Sequence, residues 1–172
     1  MELNESFLQF FTATIHEWKH LLKPDKYKIV IADSLKFLVD NKRVKVYAFA
    51  IMSNHLHIIW QMVGSTKRED VQRDFLKFTS QNIKFDLVKN HPEVLKHFEV
   101  NVKDRKHQFW LRNSLSIDLY SHEVFIQKIE YLHYNPVKAG LCSLEEEYRF
   151  SSAKFYLNGK DEFGFFSHYQ GE

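Results

Sequence analysis

The sequence has little cysteine, glycine or proline. Cys142 is the only cysteine among 172 residues, so a disulfide within the chain and a zinc site built on cysteines are both excluded. A single thiol is also typical of a protein in a reducing, cytoplasmic compartment. The five glycines and three prolines leave no obvious linker, repeat or low-complexity segment. We therefore expect one domain over residues 1–172, with a short C-terminal extension after about residue 153.

Long hydrophobic runs and a strong net charge are missing as well. No segment reaches the ~20 apolar residues that a membrane-spanning helix needs, and residues 1–5 lack the pattern of a secretion signal. We expect a soluble protein without a membrane partner. Lys and Arg number 24 against 22 Asp and Glu, a net charge of +2, so overall charge does not indicate a nucleic-acid partner. Such a partner would need a local basic patch.

Hydrophobic periodicity predicts the secondary structure. Strands are expected over 7–15, 44–52 and 55–62, and helices over 25–40, 67–88 and 121–136, with a possible further strand within 103–113 and loops with a tail near the end. This order is typical of an α+β fold, the ferredoxin-like split βαβ sandwich, in which helices pack on one face of an antiparallel sheet. The strands 44–52 and 55–62 are expected to form a hairpin in the sheet centre.

The third predicted strand carries two histidines, His55 and His57. Side chains two apart on a strand share a face, with Cα atoms roughly 6.6 Å apart, which is close enough for one metal ion to bridge them. The neighbours Leu56, Ile58 and Trp60 would point into the core on the opposite face. A His-x-His pair alone is weak evidence, because two histidines on a solvent-facing side of a strand give the same pattern.

The last predicted helix carries Lys128, Tyr131 and Asn135. Their spacing of three and four places all three on one stripe of the helix. In the alternative interpretation Tyr131 is a half-buried aromatic residue and Asn135 an ordinary residue before Pro136. His133 lies about 200° around the helix from Tyr131, so we expect it to pack or cap and not to act as a base for that tyrosine.

Together the two clusters resemble the paired signatures of a known family. The segments IMSNHLHIIW at 51–60 and YLHYNPVKAGL at 131–141 resemble those of the single-tyrosine HUH transposases of insertion sequences. The resemblance is strongest to the branch called REP-associated tyrosine transposases, and it extends to residues 73–80, 108–110 and 148–153. It thus covers most of the chain, and the joint occurrence of the histidine pair with Tyr-x-x-x-Asn-Pro is specific.

The resemblance implies a transposase that cuts and rejoins single-stranded DNA. His55, His57 and Asn135 would bind a divalent metal, Mg²⁺ or Mn²⁺, while Tyr131 would attack a phosphodiester, forming a 5′-phosphotyrosine and releasing a 3′-hydroxyl. A tyrosyl hydroxyl has a pKa near 10 and needs help in losing its proton, which Lys128 one turn earlier could give. The DNA would include a hairpin, and a homodimer is compatible with the family.

Candidate DNA contacts come from a basic and aromatic segment and from the second helix. Single strands are held by cationic grooves with stacking rings, which indicates Lys103, Arg105, Lys106, Phe109, Trp110 and Arg112, followed by Lys77, Thr79 and Ser80. In the alternative interpretation the two aromatic residues belong to the core and the charges to a solvated loop.

Two other functions remain compatible with the sequence. A domesticated DNA-binding or repeat-maintenance protein would keep the fold without transposition. A metal-dependent phosphodiester hydrolase would use water, with Tyr131 only positioning the substrate, and would never carry covalent DNA.

Overall fold

A computed structural model describes residues 7–171 of the chain. The segment 1–5, considered above for a secretion signal, lies outside the described residues. None of the helices within 7–171 combines the length and the apolar character required to cross a membrane.

The described chain contains six strands and five α-helices. The strands are β1 (Leu8–Thr14), β2 (Val44–Ile51), β3 (His55–Met62), β4 (Glu99–Val102), β5 (Arg105–His107) and β6 (Leu115–Leu119). The helices are α1 (Asp25–Asp40), α2 (Arg68–Asn90), α3 (Pro92–Leu95), α4 (His122–Lys138) and α5 (Ala153–Asn158).

Four strands form an antiparallel sheet in the order β2-β3-β1-β6. Because β3 lies between β1 and β2, the unit β1-α1-β2 is a split βαβ, and the predicted α+β class is confirmed. The predicted hairpin forms, but only β3 is central and β2 is an edge strand. The fourth strand is β6 and not the 103–113 segment, whose β5 pairs with β4 in a separate small sheet.

Helices cover both faces of the sheet, which differs from the prediction of one covered face. On one face Phe11 and Trp60 pack with Phe75 of α2 and with residues of α1. On the other face Phe10 and Ile59 pack with the buried side of α4. The sequence signal for two covered faces was in β3. Its residues 56–60 are all buried, and a strand that is covered on both faces typically has a near-continuous apolar run.

Helix α4 begins where the sequence predicts and ends later. The Ser121 side chain accepts a hydrogen bond from the Val124 N–H at 3.2 Å, which caps the helix. Pro136 lies inside the helix and does not end it. The end is at Lys138, where the Leu141 N–H reaches the Pro136 carbonyl and Gly140 adopts a φ of 75°, a conformation that favours glycine.

The C-terminal segment is part of the core and not the predicted loops and tail. It contains α5, and its Phe163, Phe165 and Phe166 surround Phe49 of β2 with ring centroids 5.0 to 5.9 Å away. Its backbone also pairs with the free edge of β2, where the Ser167 N–H donates to the Val46 carbonyl at 2.8 Å. This segment thus covers an edge that would otherwise be open to intermolecular pairing.

We predict that Phe165→Ala lowers the free energy of unfolding by about 3–5 kcal/mol, because it empties a buried aromatic site. Phe165 is 5% exposed, whereas Leu157 on α5 is 64% exposed, so Leu157→Ala is the control and should change stability by no more than about 0.5 kcal/mol. Urea denaturation measures both. Equal, small losses would show that the C-terminal segment is dispensable for the fold.

Candidate active site and basic groove

A pocket of about 570 Å³ opens between the sheet and α4. Its walls come from β1, β3 and β6 on one side and from α4 on the other. Trp18, in the short turn after β1, also lines it. The lining residues are Phe10, Thr12, Thr14, Trp18, His55, His57, Leu115, Ile117, Lys128, Tyr131, Asn135, Lys138 and Ala139. The structure therefore brings together all five residues for which the sequence suggested catalytic or metal-binding roles.

The two histidines of β3 lie side by side, with ring centroids 4.9 Å apart. The Asn54 side-chain carbonyl accepts a hydrogen bond from His55 Nδ1 at 2.7 Å. The neighbouring strand orients the second ring, because Thr12 lies opposite His57 in the β1-β3 register and its Oγ1 is 2.8 Å from His57 Nδ1. His57 Nε2 is buried and has no hydrogen-bond partner among the described residues. We assign the proton to Nδ1, so that Nε2 has a free lone pair.

Both imidazoles are held in the neutral form. Burial, followed by the neighbouring His55 and Lys128, lowers the pKa of His57 to about 3. Burial also lowers the pKa of His55, and its hydrogen bond to the Asn135 side chain offsets part of that effect. Neutral imidazole is the metal-binding form of histidine, so these rings need not lose a proton at neutral pH before binding a cation.

Helix α4 places Tyr131 beside the histidines. The Tyr131 ring is 5.5 Å from the His57 ring and 6.2 Å from the Phe10 ring, while 49% of the residue is exposed. Lys128 Nζ lies 5.9 Å from the centre of the Tyr131 ring and 5.3 Å from that of Phe10. Because Tyr131 is half exposed, a large substrate can reach it. The Lys128 amine lies close to the same ring.

The donor set fits a weakly held divalent metal. Two imidazoles and the Asn135 amide are uncharged, and no cluster of three or more His, Cys, Asp or Glu suited to a metal occurs within the described residues. Mg²⁺ prefers oxygen ligands, so we expect these three donors to bind it weakly until a phosphate contributes oxygen ligands. Mn²⁺ accepts imidazole ligands more readily. The unpartnered Nε2 of His57 is the observation that favours a ligand at this point.

His133 faces away from this pocket, as expected. It is 7% exposed, its Nε2 is 2.7 Å from Ser152 Oγ, and burial lowers its pKa to about 4. It therefore anchors α4 to the segment before α5.

A second, basic groove of about 740 Å³ lies between α2 and residues 104–114. Seven of the predicted DNA-contact residues line it: Lys77, Ser80, Arg105, Lys106, Phe109, Trp110 and Arg112. The structure adds Arg73, Gln81 and Lys84, which the sequence analysis missed. Each lies four residues from Lys77 or Ser80 along α2, and this spacing was the available signal.

Three of the nine predicted DNA-contact residues are buried, and two of these three belong to the groove lining. Thr79 is fully buried, and Phe109 and Trp110 are 5% and 7% exposed, so they present almost no surface for stacking. The Trp110 indole N–H donates to Thr79 Oγ1 at 3.2 Å, which ties α2 to the 108–112 segment. Thr79 therefore has no surface for a DNA contact, whereas Phe109 and Trp110 border the groove and their contact with DNA stays a prediction. Lys103 is exposed between β4 and β5 and does not line the groove.

The groove and the pocket are neighbours. Ser114 lines the groove and Leu115, the next residue, lines the pocket. Adjacent Cα atoms are 3.8 Å apart, so the groove and the pocket adjoin at the start of β6.

Trp18 is a pocket residue that the sequence analysis did not identify. It follows β1 and is 58% exposed, and its ring lies 6.2 Å from that of His55. No periodic pattern in the sequence marks it.

Comparisons with known proteins support the fold. No family model matches the chain, and no curated protein matches its sequence. The fold is similar to that of a REP-associated tyrosine transposase bound to a REP hairpin, with a TM-score of 0.69 and 14% identity over 99% of this chain and 93% of the other. It is also similar to a candidate transposase from Deinococcus radiodurans R1, with a TM-score of 0.50 and 10% identity over 77% of this chain and 96% of the other.

We predict that the His57 ring stays neutral from about pH 8 down to about pH 5, because its lowered pKa is far below this range. NMR of ¹⁵N-labelled histidine measures this directly, and the exposed His122 gives a reference signal in the same spectra. A protonation midpoint of about 6 or higher at His57 would contradict the buried, neutral ring.

Proposed function

We propose that this protein is a metal-dependent endonuclease and strand transferase of single-stranded DNA, which acts through a 5′-phosphotyrosine at hairpin-associated sites. The observation that carries the proposal is the placement of an accessible tyrosine, 5.5 Å between ring centroids from a neutral histidine whose second nitrogen is unpartnered. A nucleophile beside a metal-ligand pair is an arrangement that supports phosphodiester transfer.

The charges of the pocket favour a phosphodiester as substrate. Lys128 and Lys138 line it, and no Asp or Glu occurs among its described lining residues. The adjoining groove contributes Lys77, Lys84 and Lys106, among other cations, and one acidic residue, Asp104. A backbone of phosphates is attracted to both. The REP-associated tyrosine transposase with a similar fold is bound to a REP hairpin, which supports hairpin DNA as the ligand here.

The reaction balances with Tyr131 as nucleophile. The Tyr131 oxygen bonds to phosphorus as the bond from phosphorus to the 3′-oxygen breaks, and the proton lost by the phenol is balanced by the proton gained by the 3′-hydroxyl. The Lys128 amine, near the Tyr131 ring, would either accept the phenolic proton or stabilise the phenolate. The 3′-oxygen of another strand can reverse the step, so joining needs no ATP.

His55, His57 and Asn135 would hold the divalent metal. When bound, Mg²⁺ or Mn²⁺ neutralises charge on the non-bridging oxygens of the phosphate. The Thr12 hydroxyl orients the His57 ring, and Asn54 orients His55 in the same way. Such partners of metal ligands commonly affect metal affinity by 10–100-fold.

Tyr131→Phe should abolish the covalent protein–DNA adduct and preserve DNA binding, since only the attacking oxygen is lost. Denaturing electrophoresis with labelled single-stranded hairpin DNA, with and without Mn²⁺, measures the adduct, and gel shift measures binding. Tyr134 lies on the same helix, is 53% exposed and does not line the pocket, so Tyr134→Phe is the matched control and should form the adduct.

The other outcomes separate the alternatives. Metal-dependent cleavage by the wild-type protein without a covalent band would favour the hydrolase. Tight binding with neither product would favour the domesticated DNA-binding protein. Loss of binding in Tyr131→Phe would show that the tyrosine is structural.

Lys77→Ala and Lys84→Ala should each weaken binding of single-stranded DNA and reduce its salt dependence. For single strands, each lost phosphate contact lowers the slope of log K against log salt by about 0.7. Lys45→Ala is the control, because Lys45 is exposed on β2 and lines neither cavity. Fluorescence anisotropy at several salt concentrations measures the slopes, and unchanged slopes for both groove variants would exclude this groove as the DNA path.

A further inference from the structure

We propose that Trp18 is a stacking platform for one base of the single-stranded DNA, next to the phosphate that Tyr131 attacks. The proposal rests on the proposed function for the identity of the ligand, and it adds a base-binding subsite to the pocket. The chain has three tryptophans. Trp60 and Trp110 are 0% and 7% exposed, whereas Trp18 is 58% exposed. Trp18 is therefore the tryptophan whose ring is open to a stacking ligand.

The backbone holds Trp18 in this position without help from the core. Glu17 and Trp18 have φ angles of 56° and 57°, in a left-handed region that residues other than glycine rarely adopt. The Trp18 N–H donates to the Ile15 carbonyl at 2.9 Å. The Asn54 side-chain amide donates to the Trp18 carbonyl at 3.5 Å, and the Ile15 N–H donates to the Asn54 carbonyl at 2.8 Å. These bonds do not involve the indole, so they can persist when residue 18 is changed.

The strained loop directs the indole at the reacting centre. The Trp18 ring is 6.2 Å from the His55 ring, at an interplanar angle of 62°. His55 in turn is next to His57, whose ring is 5.5 Å from that of Tyr131. Trp18 and Tyr131 thus flank the histidine pair. A nucleotide whose phosphate lies at the histidines would have its base within reach of Trp18.

The surroundings of Trp18 suit a nucleotide better than an acidic or purely apolar ligand. Phe10, Leu115 and Ile117 give the pocket apolar surface, and Lys128 and Lys138 give it positive charge. Rings combined with cations are the usual means of holding single strands. The one acidic neighbour in sequence, Glu17, is paired with Lys19 Nζ at 3.2 Å and lies 3.4 Å from His16 Nε2, so its charge is compensated.

The experiment uses the intrinsic fluorescence of the tryptophans. Full-length protein carrying Tyr131→Phe, which has no nucleophile, is titrated with a short oligothymidylate and with an abasic strand of the same length. The two strands have the same phosphates, and only the first has bases. We expect the oligothymidylate to quench the exposed tryptophan and the abasic strand to leave its emission nearly unchanged. Trp18→Phe should remove the quenching, because the two remaining tryptophans are buried.

Binding measurements on variants separate stacking from a structural role. Trp18→Ala should weaken binding of oligothymidylate by about 10-fold, the order expected for one stacked base, and should not alter binding of the abasic strand. Trp18→Phe should retain most of the affinity. Phe37 is 60% exposed on α1 and lines neither cavity, so Phe37→Ala is the control and should bind both strands normally.

Three results would overturn the proposal: quenching that is the same with and without bases, an equal loss of affinity for both strands in Trp18→Ala, or a change of oligomeric state in Trp18→Ala with DNA binding intact. The last would make Trp18 a contact between copies of the chain. Failure of the proposed function is distinguishable, because it would appear as the absence of a covalent adduct in the wild-type protein, whatever the fluorescence shows.

Discussion

The register of β1 against β3 determines both the core and the candidate active site. Thr12 lies opposite His57 and Phe11 opposite Ile58, so the first pair faces the pocket and the second faces α1 and α2. A slip of one residue would exchange the two faces. It would place the imidazole in an apolar core without its Thr12 partner, which is costly. Packing of the apolar sheet face against α1 and α2 therefore positions the polar residues on the opposite face, which lines the pocket.

The rotation of α4 is set by packing in the same way. Its buried residues Phe125, Ile129 and Leu132 contact the sheet face that carries Phe10 and Ile59. Tyr131 precedes Leu132, so it is held at the rim of this contact, half exposed above His57. No further contact is needed to orient Tyr131 towards the pocket. The helix cap at Ser121 and the apolar stripe fix the position of the helix, and the helix fixes the position of Tyr131.

Much of this arrangement could be predicted from the sequence, because its determinants are local. Alternation and helical periodicity predicted α1, β2, β3 and the start of α4, and spacings of two, three and four predicted which site residues share a face. The errors arose where a partner is distant in sequence. Thr79 and Trp110 are 31 residues apart, and only their contact shows that both are core. The position of the Trp18 side chain depends on positive φ angles at Glu17 and Trp18, which no residue pattern predicts.

Under the proposed function, the uncharged donor set couples the metal to the substrate. His55, His57 and Asn135 contribute no negative charge, and no carboxylate occurs among the described residues that line the pocket. A hard cation would therefore gain most of its oxygen ligands and its charge compensation from the DNA phosphate. Such coupling is reciprocal, so DNA should tighten metal binding by the same factor by which metal tightens DNA binding. A site of this design binds its metal strongly only when a strand has already entered, and the lysines, not acidic ligands, supply the initial attraction.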